Sequence, residues 1–202
     1  MCNVPDYGTA AVAQFTLALM LELCHRIGYH DAAVHDGKWC RSSTFCFWDT
    51  PQMELGGKTL GIIGFGRIGQ ATAKLAQAFG MRVITCSRTR KETNLNVEYV
   101  DLDTLLAQSD FISLHCPLFT ENTRMVNAEF IGRMKDGAFL INTARGAVVD
   151  TDALLAALES GKVAGAGLDV FPDEPHVPAA LLQHDRVVCT PHIGTNLSLI
   201  HI

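Results

Sequence analysis

A glycine-rich turn constrains this chain more than any other stretch, because it lies between a predicted apolar strand at 60–63 and a predicted helix at 67–79. The start of that helix would present free backbone N–H groups and the positive end of its dipole to the turn, which suits a pyrophosphate. In a G-x-G-x-x-G turn, the first glycine allows the tight turn, the second lets the phosphate approach, and the third lets helix and strand pack closely. The turn therefore predicts a dinucleotide site formed by Gly64, Phe65, Gly66, Arg67, Ile68 and Gly69.

Composition and charge exclude several classes of protein. The 202 residues suffice for one α/β domain with a full core, or for one domain and a fragment of another. A net charge of −5 without charge runs argues against nucleic acid as the main partner. Seven cysteines without C-x-x-C spacing indicate reduced thiols of a cytoplasmic protein, with neither a disulfide framework nor a metal site. No signal peptide is recognised, and the most apolar stretch, 10–23, is too short to span a membrane.

Short apolar runs alternate with helical patterns from residue 60 onward. Strands are predicted at 60–63, 82–86, 110–114, 138–142, 164–170 and 187–190. Helices are predicted at 67–79, 101–108, 121–136 and 150–161. This alternation predicts an α/β fold in which helices cover both faces of a doubly wound parallel sheet.

The first 58 residues predict an interface. A helix over 9–27, with Thr9 as its cap, is apolar on nearly every face, so we expect a second domain or a second subunit to cover it. The arm 30–58 is predicted to be irregular and contains both Trp39 and Trp48. Either the arm and the helix form a homodimer interface, or the aromatic rings pack locally under the arm, and the sequence leaves both open.

The end of the second strand bears on the choice of cofactor. An NAD site favours an acidic residue about 20 positions past the glycines, where it binds the ribose 2′-hydroxyl. This chain has Ser87 there, followed by Arg88, Arg90 and Lys91. A small donor and cations suit a 2′-phosphate, so the sequence favours NADP(H) over NAD(H). A solvated basic loop that tolerates both cofactors is the alternative.

Polar groups follow three later strands, and open α/β sheets bind ligands at that edge. Arg145, Glu174 and His192 are the residue types that reduction of a carbonyl beside a carboxylate requires. The Arg can clamp the carboxylate, the His can protonate the carbonyl oxygen while a nicotinamide gives hydride to carbon, and the Glu can orient the His ring. Singly, each has a structural explanation in a cap, a turn or a backbone contact. Together, on three strand ends of one sheet, they predict a catalytic site.

Five motifs in this order, at 64–69, 113–118, 142–146, 167–171 and 190–194, resemble the D-isomer-specific 2-hydroxyacid dehydrogenases over almost the whole chain. The resemblance implies a Rossmann-type NAD(P)-binding domain of an oxidoreductase. It places the family's catalytic residues on Arg145, Glu174 and His192. It implies that Asp169 binds the nicotinamide amide, and that further cofactor contacts come from His115, Cys116, Pro117, Thr143, Ala144 and Gly194.

The arm sequence at 45–49 is most similar to the glycerate dehydrogenases, or hydroxypyruvate reductases, which implies hydroxypyruvate and D-glycerate as substrates. In the family a separate substrate domain completes the cleft. We expect that domain to be largely absent here, with 1–8 as the segment leading from it, 9–196 as the NAD(P)-binding domain and 197–202 as a non-native tail. Because hydride transfer needs a closed cleft, we expect weak cofactor binding and little turnover from this chain alone.

Two other functions remain compatible with the sequence. A corepressor-like binding protein could use the same scaffold to sense the cofactor without catalysis, and such proteins can keep the three catalytic residues. A structural dimerisation module would explain residues 1–58 and leave the motifs at the strand ends without a role.

Overall fold

The computed structural model describes residues 8–195 as an α/β unit, so the tail 197–202 and nearly all of the segment 1–8 lie outside it. The strands are β1 (Thr59–Ile63), β2 (Arg82–Cys86), β3 (Val97–Tyr99), β4 (Phe111–Leu114), β5 (Ala138–Asn142), β6 (Val163–Leu168) and β7 (Val187–Cys189). The helices are α1 (Thr9–His25), α2 (Ile27–His35), α3 (Arg67–Ala78), α4 (Leu102–Gln108), α5 (Ala128–Arg133), α6 (Thr151–Ser160) and α7 (Ala179–Leu182).

The described strands form one seven-stranded sheet in the order β3-β2-β1-β4-β5-β6-β7, and every pairing is parallel. This is the doubly wound, Rossmann-type arrangement, in which the strand order reverses between β1 and β4. The predicted fold class is therefore confirmed. The strand missed by sequence pattern is β3, whose three residues lie partly exposed at the edge of the sheet and give no apolar run.

Two hydrophobic cores sandwich the sheet, one on each face. On one face α1 and α3 pack together, and their side chains join Leu60, Ile62 and Phe139 of the sheet. On the other face α4, α5 and α6 enclose a second core with Ile112, Leu140 and other strand residues. A parallel sheet buried on both faces explains why its strands read as continuous apolar runs.

One predicted helix is much shorter in the structure. The pattern at 121–136 becomes a 3₁₀ turn, Thr120–Asn122, followed by α5, Ala128–Arg133. Arg124 has a left-handed backbone with φ 53°, which interrupts the helix, and the Asn127 side chain caps the new start by accepting from the Phe130 amide at 2.9 Å. The short α7 was also missed, because four residues carry too little periodicity to predict.

Helix α1 differs from the helix predicted over 9–27 in the residue where it ends, in its cap and in what covers its apolar side. It ends at His25, because Arg26 turns left-handed with φ 50°, and its N-cap is Gly8 in place of Thr9. Its own domain buries its apolar side, since Val12, Ala13, Leu17, Leu19, Met20, Leu23 and Cys24 are buried against α3 and the sheet. No second subunit is needed to cover α1.

The arm begins with a helix that the sequence did not reveal. Residues 27–35 form α2, none of whose residues is buried. Asp49 ties the arm to it by accepting hydrogen bonds from Tyr29 (Oη to Oδ2, 2.9 Å) and from Lys38. The aromatic rings nonetheless face outward: Phe45 is 93% exposed and Trp48 is 66% exposed. Local packing therefore does not explain these rings.

Within residues 8–195, no single helix is long and apolar enough to cross a bilayer, although α1 and α2, which meet at a bend of 59°, reach that length and hydropathy as a pair. The cysteines in the same range that are free thiols are Cys24, Cys40, Cys46, Cys86, Cys116 and Cys189.

Candidate active site

The register of the sheet brings the predicted site residues to one edge. A single row of paired residues crosses six strands and contains Cys86, Ile63, Leu114, Asn142, Leu168 and Cys189. The next residues along the chain are therefore neighbours at the carboxyl edge of the sheet, and they are Ser87, Gly64, His115, Thr143, Asp169 and Thr190. This is the edge where open α/β sheets bind ligands.

The three motif glycines have three different environments, as predicted. Gly64 turns with φ 96°, and a side chain on it would meet the backbone between His115 and Cys116 at 2.8 Å. A Cβ on Gly69 would lie 2.4 Å from the Gly64 carbonyl oxygen, so helix and turn pack without space for one. A Cβ on Gly66 would meet nothing within 4 Å, and no side chain caps α3 there. The open approach and the uncapped amides fit a pyrophosphate.

A cavity of about 640 Å³ lies beside this turn, where the strand order reverses. The predicted cofactor residues that line it are Gly64, Phe65, Gly66, Ser87, Arg88, His115, Cys116 and Pro117. The Phe65 ring itself is buried in the core against Tyr99, so this residue can offer the cavity only its backbone. The volume and the mixed lining suit a nucleotide.

Of the three cations that follow Ser87 in the loop after β2, two line the cavity. Arg88 lines the cavity and its guanidinium lies 4.7 Å from the centre of the Phe119 ring. Arg90, predicted to bind cofactor, instead stacks on Tyr99 and lines a different hollow. Lys91 lines both the cavity and this hollow. The Tyr99 hydroxyl fixes this arrangement, because it accepts from the Lys91 amide at 2.9 Å and donates to the Lys91 carbonyl at 3.1 Å.

His115 lies in the cavity wall as a neutral base. Its Nε2 is 2.9 Å from Oγ of Ser113, a buried residue of β4 that sequence reasoning did not single out. Burial lowers the pKa of His115 to about 4, so the ring is uncharged at neutral pH. Burial also raises the pKa of the neighbouring Cys116 thiol, which keeps that group protonated. His115 and Cys116 thus give the cavity wall hydrogen-bonding groups that carry no charge at neutral pH.

We expect the shifted pKa of His115 to make the fold lose stability on mild acidification. The unfolded ring takes up a proton near its usual pKa of about 6.5, but the folded ring does not until about pH 4, so the stability present above pH 6.5 is lost as the pH falls. Between pH 7 and pH 5 this loss amounts to about 2 kcal/mol. Urea unfolding at both pH values should show a drop smaller by that amount in His115→Gln. Equal drops in the two proteins would contradict a ring that stays neutral in the folded protein.

Arg145 extends from a turn that Asn142 holds in place. The Asn142 side chain accepts from the Ala144 amide and donates to the Arg145 carbonyl, each at 3.0 Å. The turn packs closely against the backbone of Phe171, since a Cβ on Gly146 would lie 2.0 Å from the Phe171 carbonyl carbon. Arg145 itself is exposed, while Thr143 beside it is 3.1 Å (Oγ1 to Oγ1) from Thr16 of α1. An exposed cation on a fixed turn is suited to binding a carboxylate.

Glu174 and His192 form a hydrogen-bonded pair, 18 residues apart in sequence. His192 Nδ1 donates to Glu174 Oε2 at 2.7 Å, and the Phe171 amide donates to the other carboxylate oxygen at 2.9 Å. Partial burial opposes ionisation of Glu174. The bonds from His192 and Phe171 and the charges of His192 and Arg145 outweigh it and hold the Glu174 pKa below its usual value. An ionised Glu174 therefore fixes the His192 ring through Nδ1, and Nε2 is the ring nitrogen that can act on a substrate.

The loop that carries His192 is bound to Asp169 at the end of β6. Asp169 is 2% exposed, and both of its carboxylate oxygens accept hydrogen bonds from loop residues. One of these donors is the amide of Gly194, predicted from the family resemblance to contact cofactor. The sequence motifs contain both residues, but nothing in their spacing showed that they bond to each other.

Apart from Arg90, the predicted residues thus fall into two neighbouring groups on one edge. One surrounds the cavity beside β1, β2 and β4, and the other, with Arg145, Glu174 and His192, follows β5, β6 and β7. Residues that sequence reasoning did not assign a role, Ser113, Asn142 and Thr190, hold these groups through hydrogen bonds. Within the part of the chain that the structure describes, no three His, Cys, Asp or Glu side chains are arranged as a metal site.

Comparison with known proteins agrees with this geometry. The hydroxypyruvate reductase of Blautia hydrogenotrophica is 51% identical over 197 residues, which are 96% of this chain and 61% of that protein. The glyoxylate reductase of Thermococcus litoralis is 51% identical over 200 residues, covering 96% and 60%. The D-lactate dehydrogenase from Aquifex aeolicus, solved with NAD and lactic acid, superposes with a TM-score of 0.82 at 40% identity, covering 95% and 61%.

The chain spans about 60% of the length of the relatives that it matches. The sequence model of the family described as D-isomer specific 2-hydroxyacid dehydrogenase, NAD binding domain, matches residues 17–194. That match includes every motif at the carboxyl edge of the sheet, from the glycine turn to His192. The chain therefore belongs to the D-isomer-specific 2-hydroxyacid dehydrogenase family, through the NAD-binding domain of that family.

Proposed function

We propose that this chain supplies the cofactor half of an oxidoreductase that reduces a small 2-oxo acid to a D-2-hydroxy acid. The observation that carries the proposal is the His192–Glu174 pair, within the electrostatic reach of Arg145, at the same sheet edge as the dinucleotide cavity. A corepressor-like function without catalysis would need the same cavity but would leave this pair without a role, and the relatives named above are reductases and a dehydrogenase.

The residues divide the reaction between them. Arg145 binds the substrate carboxylate and so orients the adjacent carbonyl. His192, held at Nδ1 by Glu174, donates a proton from Nε2 to the carbonyl oxygen as negative charge develops there. A bound reduced nicotinamide cofactor supplies the hydride. The ionised Glu174 stabilises the protonated ring before transfer and keeps its orientation afterwards.

The names of the relatives support hydroxypyruvate and glyoxylate as candidate substrates. Both are small 2-oxo acids with a carboxylate beside the reacting carbonyl, which is the group that Arg145 suits. Because the chain spans about 60% of those relatives, we propose that turnover depends on the further length that they have, where the family's substrate domain closes the cleft.

The function is tested by assaying the protein expressed from its complete open reading frame with hydroxypyruvate, glyoxylate and pyruvate, each with NADPH and with NADH. We expect reduction of at least one of the first two acids to a D-2-hydroxy acid. A protein that binds cofactor and reduces none of the three would contradict the proposal.

We also propose that the cofactor is NADP(H) in preference to NAD(H). The family description and the Aquifex structure name NAD, so the proposal rests on the cavity wall of this chain. Ser87 and Arg88 line the cavity together with Lys91, which replaces Arg90 in this role. A serine hydroxyl and two cations match a 2′-phosphate, whereas an acidic residue at 87 would repel it.

Replacing Ser87 with aspartate should reverse the cofactor preference. The new carboxylate faces the 2′-phosphate, and we expect a loss of NADPH affinity on the order of 100-fold with a smaller change for NADH. Titration of nucleotide fluorescence on this chain measures both constants. Arg90→Ala is the matched control, because its stack on Tyr99 lies outside the cavity and its NADPH affinity should stay unchanged. A wild-type chain that prefers NADH would refute the NADP(H) assignment.

We propose a homodimer through α2 and the rest of the arm 30–58. The support is a set of apolar side chains that the domain leaves exposed: Ile27, Tyr29, Val34, Trp39, Phe45 and Trp48. Interfaces are enriched in such aromatic residues, and a two-fold contact would place the same patch on both subunits. Because α1 is buried within its own domain, α2 and the arm replace it as the proposed interface.

Sedimentation velocity on Phe45→Ser should show a dissociation constant raised by on the order of 30-fold, because loss of one aromatic contact at an interface costs about 2 kcal/mol. Leu118→Ser is the control, since Leu118 is also exposed but follows β4 at the carboxyl edge of the sheet, whereas the arm leads into the start of β1 at the opposite edge. Equal dimerisation of all three proteins, or a monomeric wild-type chain, would contradict the proposed interface.

The cytoplasm remains the proposed location, without nucleic-acid or membrane partners. Support comes from the free thiols among the described residues and from the net charge of −5.

A further inference from the structure

We propose that Asp169 is a positioning residue for the His192 loop: its buried carboxylate clamps residues 190–194 so that His192 can reach Glu174. The inference rests on the proposed function for the meaning of the pair, but the clamp itself is a property of the protein without cofactor. It adds to the role implied by the family resemblance, in which Asp169 binds the nicotinamide amide.

Asp169 is hydrogen-bonded to the loop on both sides of His192. Before it in the chain, the Thr190 hydroxyl donates to Asp169 Oδ1 at 2.7 Å. After it, the Ile193 amide donates to the same oxygen at 3.0 Å, and the Gly194 amide donates to Oδ2 at 2.8 Å. The contact is close, because a Cβ on Gly194 would lie 2.9 Å from Oδ2. The backbone of His192 is therefore held on both sides by residues that are bonded to Asp169.

The backbone of His192 needs such a clamp. Its φ of 54° lies in the left-handed region, which a residue with a side chain adopts at a cost. The one backbone bond within this turn is from the His192 amide to the Thr190 carbonyl at 3.0 Å. If the three bonds to Asp169 were lost, the loop would relax toward an ordinary backbone conformation, and the ring would turn away from Glu174.

The clamp leaves Asp169 able to accept a further hydrogen bond from a cofactor. An ionised carboxylate offers about four lone-pair positions, and the loop occupies three of them. One position remains for a further donor. Asp169 is 2% exposed, so the carboxylate is fixed before any ligand arrives. The same group would then connect occupancy of the cofactor site to the loop that carries His192.

The test is made on the cofactor-free chain by NMR of ¹⁵N-labelled histidine side chains. In the wild type we expect a downfield Nδ1–H resonance for His192, bonded to Glu174 and assigned by its absence in His192→Asn. In Asp169→Asn, one of the two acceptor oxygens becomes an NH₂ donor that faces a donor of the loop. The loop then loses at least one of its bonds, and we expect the His192 resonance to disappear. Thr190→Val removes one of the three bonds and should weaken the resonance without abolishing it.

Asp110→Asn is the matched control. Asp110 likewise accepts from a backbone amide, that of Thr59 at 2.8 Å, and from a side chain, Lys135 at 2.7 Å, but it precedes β4 at the opposite edge of the sheet. It should lose stability and keep the His192 resonance. In the protein from the complete open reading frame, Asp169→Asn should lower kcat on the order of 100-fold, the cost of a misplaced catalytic group.

A folded Asp169→Asn chain that keeps the wild-type His192 resonance would overturn the clamp, and so would a variant in which only the KM for cofactor changes. Because the resonance is measured without turnover, an absence of reductase activity would refute the proposed function and leave the clamp to be decided by NMR.

Discussion

Replacing His192 with asparagine should lower kcat/KM for hydroxypyruvate by a factor of about 10²–10⁴, the usual contribution of a general acid. Asparagine is the informative replacement because it tolerates the left-handed backbone that His192 adopts at φ 54°. The loop and its bonds to Asp169 should therefore survive, and the loss reports on the ring alone. Steady-state kinetics on the protein from the complete open reading frame measure the effect, together with NADPH affinity, which should not change.

His176→Asn is the matched control for this variant. His176 lies on the same segment as Glu174 but its side chain is 81% exposed, and its contact is with Asp173. Its rate should equal that of the wild type. If His192→Asn retained more than about one tenth of the wild-type kcat/KM, the assignment of His192 as the acid would fail, since even modest acid catalysis exceeds that factor. If both variants lost activity equally, the cause would be disruption of the segment.

The environments of the motif glycines were predictable because they depend on local backbone geometry. A strand, a turn and a helix adjacent in sequence fix what Gly64, Gly66 and Gly69 can contact, and the structure has each as expected. The edge location of Arg145, Glu174 and His192 followed from the topology of a parallel sheet. Residues immediately after the strands must meet there whatever the details of their loops.

The direction of the Arg90 side chain could not be predicted from the sequence pattern. Whether Arg90 or Lys91 faces the cavity depends on the Tyr99 hydroxyl, which holds the Lys91 backbone, and on the Tyr99 ring, which receives Arg90. Tyr99 belongs to β3, a three-residue edge strand with no apolar run to reveal it. The direction of one side chain was therefore decided by an element that the sequence pattern did not disclose.

The same limit applies to α1 and to Asp169. The apolar surface of α1 suggested a partner, but α3 and the sheet bury it, and only packing in three dimensions decides which surface covers which. The bonds from Asp169 to Ile193 and Gly194 join residues 24 and 25 positions apart. Spacing in sequence carries no signal for such contacts, so the sequence indicated the chemical groups of the site and the structure supplied how they are held.

Substituting Gly66 with alanine should weaken NADPH binding on the order of 30-fold and leave the cofactor-free fold unchanged. A Cβ there meets nothing within 4 Å, and the backbone at φ −78° and ψ −164° accommodates alanine. The stability of the free protein therefore has no reason to fall. The added methyl occupies the approach of the pyrophosphate to the uncapped amides of α3, and each lost charged hydrogen bond costs about 1.5–3 kcal/mol.

Two further glycine variants separate this effect from its alternatives. Gly69→Ala should lose about 1–3 kcal/mol of stability as well as cofactor affinity, because its Cβ would lie 2.4 Å from the Gly64 carbonyl oxygen and must displace backbone. Gly132→Ala, in α5 with nothing within 4 Å, should bind NADPH normally and gain about 0.5–1 kcal/mol, as alanine does in a helix. Fluorescence titration and urea unfolding give both quantities for all three chains. If Gly66→Ala bound NADPH as the wild type does, the pyrophosphate could not lie at the start of α3, and the placement of the cofactor along this edge would have to be abandoned.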